Sequence, residues 1–524
     1  MISSRRALFP GTIAALLVTA FTTSAAAQSL AIDSISGPIT QHELEAFKAF
    51  MAKRTPPPNT WGVGATHNAL GDGAPGRDME AMGLMYEATG DLEILNRMVF
   101  FADAFLAMRN DLPGGEHRVM WTGKVDKVWP PENPVTPAQP TQITYAGGEN
   151  SDTIAHIEYC ALSILRNRAI WNKTVPDGNP HGYGVTYLDR AKTYAQRCSE
   201  ANDDYPLKYF VQPKTKLIRN PPNWPAGFHT MEAINIQMMV LGGFQRDAEI
   251  HELLGDDPAR VARYDAIVKT AVRECLDGMK HASQVNGHTV YQWFYYPSQT
   301  KGNETVGHAA YDVEGIWRAF NRPAYGLTLA EVAPIANALS YVIYLGNGTF
   351  ATNVDGTGTT QNYMHGQWTL ISVWNDTAFP LVATAAIASK RFANSPAITA
   401  PILAMKSRAP TPPDGGAPAP ERPDTGAAGT DSGQRPDTAL PPAASDAAPA
   451  DAADLVADTA GNGSGGDGNG PTEEPFADAS PSPPDSPPAP SGCSCHLGAG
   501  PTNSGLPVLP LMALSALVLR CRRD

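Results

Sequence analysis

Basic charge, long apolar runs and metal-binding spacings are what this 524-residue sequence has least of. The net charge is −13, yet residues 409 to 492 hold 14 Asp and Glu against only Arg422 and Arg435, so −12 of it sits there and −1 remains for the rest. A nearly neutral folded part has no field for nucleic acid, and recognition of any anion has to be local. The apolar run Leu506 to Leu519 is shorter than the ~20 residues a spanning helix needs. No EF-hand, zinc or phosphate-loop pattern occurs, so neither a metal nor a cofactor is expected. Cysteine is scarce: Cys160, Cys198 and Cys275 in the body of the chain, and Cys493, Cys495 and Cys521 near its end. Cys160 with Cys198 is one of three possible disulfides, each leaving an odd thiol; buried small apolar side chains are the other reading. Regular periods of 33 to 47 residues are also missing, which argues against an α-solenoid.

What is present divides the chain into four parts. Residues 1–27 have Arg5 and Arg6, an apolar run from Ile13 to Phe21 and the sequence Ser24-Ala25-Ala26-Ala27, the pattern of a cleavable signal peptide. Residues 28–408 carry the aromatics and apolar stripes of a folded domain. Residues 409–492, rich in Pro, Ala, Gly and Asp, cannot bury enough apolar area to fold and read as an extended spacer. Residues 493–524 combine Cys493-Ser494-Cys495, a short apolar run and Arg520, Arg522 and Arg523. This last combination resembles the C-terminal sorting tails of myxobacterial surface proteins. The resemblance implies processing by a sorting machinery and a protein held at the cell surface, with membrane contact only through the tail.

The domain reads as all-α. Apolar positions at helical spacing run from Met79 to Leu106 around Thr89-Gly90-Asp91, where Gly90 suits a C-cap and Asp91 an N-cap. A second such hairpin spans Met231 to Val272 around Gly255-Asp256-Asp257-Pro258. Further helices are expected at about 42–53, 152–168, 184–201, 311–320, 328–345 and 374–392, nine to twelve in all, with a strand signal only at Thr289 to Tyr296. Helical hairpins joined by long, irregular, aromatic-rich loops point to an α/α toroid whose loops gather at one rim.

Four segments concentrate side chains of catalytic type. Glu149 and Asn150 precede a helix bearing Asp152 and His156, and either could hydrogen-bond a substrate. His229 and Glu232 lie i, i+3, with Asn235 following. Alternation places Tyr291, Trp293 and Tyr295 on one face of an extended segment, a sugar platform if exposed and a core if buried; the loop bearing His365 is their companion. His308, Tyr311 and Asp312 share the N-terminal end of one helix, where the dipole favours an anion such as a carboxylate.

Gly307-His308-Ala309-Ala310-Tyr311-Asp312, the Thr89-Gly90-Asp91 break and the loop around Tyr291 resemble the α/α-toroid polysaccharide lyases, in particular the alginate and glucuronan lyases of polysaccharide lyase family 38. The resemblance spans residues 40 to 395. It implies β-elimination on an acidic, uronate-containing polysaccharide by a constellation of His, Tyr and Asn or Arg. On that reading His229 and His308 are neutraliser or base, Tyr291 or Tyr311 base and acid, and Asn150 or Asn235 carboxylate donors. Glu149, Trp293, Tyr295 and His365 would contact the substrate. Two other readings compete: a glycoside hydrolase drawing its carboxylate pair from Glu149, Asp152, Glu232, Asp312 and Glu314, and a surface glycan-binding protein without turnover.

Overall fold

A computed structural model describes residues 29–56, 70–71, 73–130, 146–222 and 231–406. His229, the signal segment, the acidic spacer and the C-terminal tail lie outside the described residues. The described part is mostly helical. Its α-helices are α1 (Gln41–Lys53), α2 (Ala74–Thr89), α3 (Leu92–Ala107), α4 (Asn150–Leu165), α5 (Tyr187–Asp204), α6 (Ile234–Leu254), α7 (Pro258–Met279), α8 (His308–Phe320), α9 (Leu329–Ala338), α10 (Ala378–Ser389) and α11 (Pro396–Lys406).

The hairpin breaks form as their residues dictate. Gly90 closes α2 at φ 68°, donating its N–H to Tyr86, and the Asp91 carboxylate accepts from Glu93 and Ile94 at the start of α3. Gly255 ends α6 in the same left-handed conformation, and Pro258 opens α7 behind the Asp257 cap. Helix α7 buries one stripe, from Tyr264 through Ile267, Val268, Ala271 and Val272 to Met279. In α4, by contrast, every residue is buried, the signature of a helix surrounded by others.

The packing partners explain that difference. Helix α2 packs on α4, α4 on α6, α6 on α8, and α8 on the 3-10 segment Gly366–Val373; that segment packs on α11, and α11 returns to α2. Helices α3, α5 and α7 lie against α2, α4 and α6. Close approach within the inner circuit needs glycine. A Cβ on Gly83 would sit 2.1 Å from the Tyr159 ring of α4, and one on Gly315 2.6 Å from Met238 of α6. The ends of the described domain are tied by Lys406 of α11, whose Nζ meets Glu43 Oε1 of α1 at 2.6 Å with both residues fully buried.

Several elements differ from the sequence reading. The helix expected to reach residue 345 ends at Ala338, passes through a π turn at Leu339–Ile343 and becomes β3 (Tyr344–Gly346). The β-branched and aromatic run Tyr341 to Tyr344 favours a strand. It turns back through Asn347 and Gly348, both at positive φ, into β4 (Thr349–Ala351), which pairs with β5 (Thr360–Gln361). Asn286-Gly287 likewise joins β1 (His281–Val285) to β2 (His288–Gln292). Helix α11 begins with Pro396 and contains Pro401, which hid it from a propensity reading. Cys160, Cys198 and Cys275 are buried free thiols, the small apolar side chains of the second reading.

The aromatic face of β2 is core. Tyr291 and Trp293 belong to the main apolar cluster, Trp293 with no exposed surface and its Nε1 donating to Asp312 at 2.9 Å. Strand β2 packs on α9 and both rings are buried, so neither has a face to offer a sugar.

Candidate active site

The inner elements bring their N-terminal halves to one cleft. It is lined by Arg77 and Glu80 of α2, Asp152 and His156 of α4, Met238 and Met239 of α6, and Tyr311, Glu314 and Arg318 of α8. Gln367 of the 3-10 segment and Pro401 of α11 complete it. Converging N-terminal ends give the cleft a positive potential before any side chain is counted.

Its floor is a buried ionic cluster with Glu80 at the centre. Arg246 approaches Glu80 Oε1 at 2.7 Å, Arg318 donates to the same oxygen at 2.8 Å, and His156 Nδ1 lies 3.2 Å away. Burial favours the neutral acid, but Arg246 and Arg318 outweigh it and hold Glu80 well below the usual carboxylate range. His156 Nε2 reaches the Gly71 carbonyl at 2.9 Å and Asp152 Oδ2 at 3.4 Å. Both ring nitrogens therefore face acceptors, and each needs a proton. Burial opposes the charge, yet Asp152 and Glu80 lift His156 to about 10. Glu314, paired with Arg318, is pushed up to about 7 by burial, which the Arg318 charge only partly offsets.

The neighbourhood of Arg77, beside the floor, has different electrostatics. His365 caps the 3-10 segment, and burial followed by the Arg77 charge depresses it to about 3. Its imidazole is neutral at ordinary pH. His308 opens α8, with Nδ1 3.3 Å from Glu304 Oε1 and its ring 5.3 Å from Tyr295. A carboxylate on Nδ1 favours the tautomer that leaves Nε2 as acceptor. Tyr311 lies one turn further along α8, in the cleft lining with Arg77. Of the residues singled out from sequence, Tyr311 lines the cleft with Arg77, His308 stands one turn before it on α8 against Tyr295, and Arg77 and His308 lie close enough to act on His365.

The remaining candidates separate. Glu149 and Asn235 stand at the N-terminal ends of α4 and α6, and Asn235 Oδ1 is buried without a hydrogen-bond partner. Glu232, just before α6, is lifted to about 8 by burial and then by the Glu149 charge. Asn150 is committed elsewhere: its amide accepts from Trp129 N at 2.8 Å and donates to Trp129 O at 2.7 Å, which holds the preceding loop to α4. Arg77, Glu80, Arg246 and Arg318 escaped the sequence reading, although charged residues inside otherwise apolar helical stripes are a legible signal of a polar interior.

A second arrangement on the outer side has the outline of a nucleophilic triad. Ser199 Oγ is 2.9 Å from His251 Nε2, and His251 Nδ1 is 2.6 Å from Asp256. Asp247 also lies 3.1 Å from Nε2 and accepts from Ser199 at 2.7 Å. Burial opposes protonation, but the two carboxylates raise His251, and the serine hydroxyl is committed to Asp247 rather than free to give its proton to the ring. Among the described residues, no group of three or more His, Cys, Asp or Glu side chains could hold a metal ion.

Set against protein-family models, curated proteins and solved structures, this chain matches none, so its relationships rest on its own residues and geometry.

Proposed function

We propose that this chain is a polysaccharide lyase of α/α-toroid architecture that cleaves a uronate-containing polymer by β-elimination. The observation that carries the reading is Tyr311 and Arg77 lining one cleft at the N-terminal ends of α8 and α2, with the carboxylate-oriented His308 one turn before Tyr311 and the neutral His365 near Arg77. The closed circuit of inner elements, with α3, α5 and α7 backing α2, α4 and α6, supports the toroid.

Each residue has work that the chemistry requires. Removing the proton from C5 of a uronate places negative charge on the adjacent carboxylate, which Arg77 and the neutral ring of His365 stabilise. His308 Nε2 takes the C5 proton, with Glu304 behind Nδ1 stabilising the imidazolium that forms. The C5–H electron pair becomes the C4–C5 double bond, the C4–O4 bond breaks, and Tyr311 protonates the departing oxygen. Proton exchange with solvent restores His308 and Tyr311. The floor carboxylates are engaged by Arg246, Arg318 and His156 and take no part in proton transfer.

The signal peptide, acidic spacer and cysteine-containing tail fit an exported enzyme held at the cell surface, where the polymer is met. One observation favours a hydrolase instead: Glu232, lifted to about 8 by burial and then by the neighbouring Glu149, is a carboxylic acid near neutral pH. Mass spectrometry of products from alginate and glucuronan separates the two. Lyase products carry an unsaturated end and are one water lighter than hydrolytic ones; products of full hydrolytic mass overturn the lyase reading.

A further inference from the structure

The aromatic platform expected in β2 is buried, but the structure has another at the α4 end of the cleft. Trp121 is half-buried in the loop after α3, and its indole Nε1 donates to Tyr205 Oη at 2.7 Å. Tyr205 is fully buried and donates in turn to the Ala146 carbonyl, a few residues before α4. Tyr209, also half-buried, meets Trp121 edge to face with ring centroids 5.3 Å apart. It lies on the π-helical turn Pro206–Phe210, a conformation frequent at functional sites. The buried side of this turn packs toward α4: a Cβ on Gly148 would lie 3.7 Å from Phe210 and 3.0 Å from Val240 of α6. The platform is therefore anchored to the same helix ends that open the cleft.

Charge defines what the platform would hold. Lys208 Nζ is 5.0 Å from the centre of the Tyr209 ring, and Lys124 is exposed in the turn after Trp121. Three acids lie nearby: Asp204 is paired with Lys127 at 2.7 Å, Asp126, pushed up by burial and near both lysines, is bonded to Thr122, and Glu149 lies on the Tyr205 side. Indole and phenol rings offer apolar faces to the C–H surface of a sugar ring, and the two lysines match its carboxylate.

We propose that Trp121 and Tyr209, flanked by Lys124 and Lys208, form a second carbohydrate subsite that holds an acidic polysaccharide chain beside the α4 end of the cleft. The inference rests on the reading of the cleft as a polyuronate site. A chain held at both places is bound by intramolecular advantage, so either contact alone is weaker than the pair.

The test is calorimetric binding of alginate to the full chain carrying Tyr311→Phe, which removes turnover, with dextran as the neutral control. Trp121→Ala weakens alginate binding about tenfold, and Trp121→Phe, which keeps an apolar ring, restores most of it. The double variant Lys124→Ala with Lys208→Ala, confined to exposed side chains, weakens binding at low salt and loses that difference at high salt. Undiminished alginate binding in both the Trp121→Ala and the lysine variants overturns the subsite. The two readings fail separately. If the unmodified chain yields no unsaturated product while the platform variants still weaken binding, the lyase reading falls and the subsite stands. If product forms and the variants bind unchanged, the subsite falls alone.

Discussion

The floor of the cleft and the neighbourhood of Arg77 beside it, called the wall below, both contain histidine, yet they hold it in opposite states. On the floor, His156 sits between Glu80 and Asp152 and is charged; on the wall, His365 sits beside Arg77 and His308 and is neutral. Burial acts on both rings in the same direction, so the sign of the neighbours decides. The comparison teaches where proton chemistry can occur. A ring whose two nitrogens are already engaged with acceptors fixes charge and geometry, whereas the wall groups keep their capacity to bind a substrate.

Removing the hub of the floor should have the largest effect. Glu80→Gln leaves Arg246, Arg318 and His156 with one fewer buried countercharge and should cost about 3–5 kcal/mol of stability, read from urea unfolding. An unfolding midpoint unchanged from the parent would mean that the floor charges are already solvated.

On the wall, Arg77→Ala should lower kcat/KM on a polyuronate about 10²-fold while leaving stability close to the parent. It should also raise the His365 pKa, which NMR titration of the ring follows. A rate loss without that rise would separate Arg77 from His365.

The two rings should also give stability opposite pH slopes. His156 has a folded value of about 10 against an ordinary 6.5, so its contribution is complete below about 6.5 and is lost as pH rises toward 10. His365 has a folded value of about 3, so its contribution is complete above about 6.5 and is lost as pH falls toward 3. His156→Gln should therefore flatten the alkaline limb and His365→Gln part of the acid limb, measured as unfolding free energy against pH. The smallest effect belongs to Glu314→Gln. With Glu314 near 7, the amide resembles a form already populated, and the change in stability should stay within about 1 kcal/mol at pH 6.

Sequence legibility followed how local each determinant is. Gly90, Asp91 and Pro258 act on their own turns, and those helix ends fall where the residues place them. The His308–Tyr311 spacing likewise needed only one helix. Whether Tyr291 and Trp293 faced solvent or α9 depended on what packs against β2, which alternation does not encode. The same holds for Asn150, whose amide is spent on Trp129 from a distant loop, and for Arg77, which meets His365 only because α2 and the 3-10 segment both adjoin α11. Asn286-Gly287 and Asn347-Gly348 are local hairpin-turn signals, but the sequence reading took neither as a turn.

The most direct test follows the ultraviolet absorbance of unsaturated uronate when the full chain, its Tyr311→Phe variant and its Glu232→Gln variant act on alginate and glucuronan. The account predicts rising absorbance with the parent chain, its loss in Tyr311→Phe, and substantial retention in Glu232→Gln. Absorbance that never rises while new reducing ends appear, and vanish only in Glu232→Gln, would contradict it and place the chemistry on the carboxylate pair.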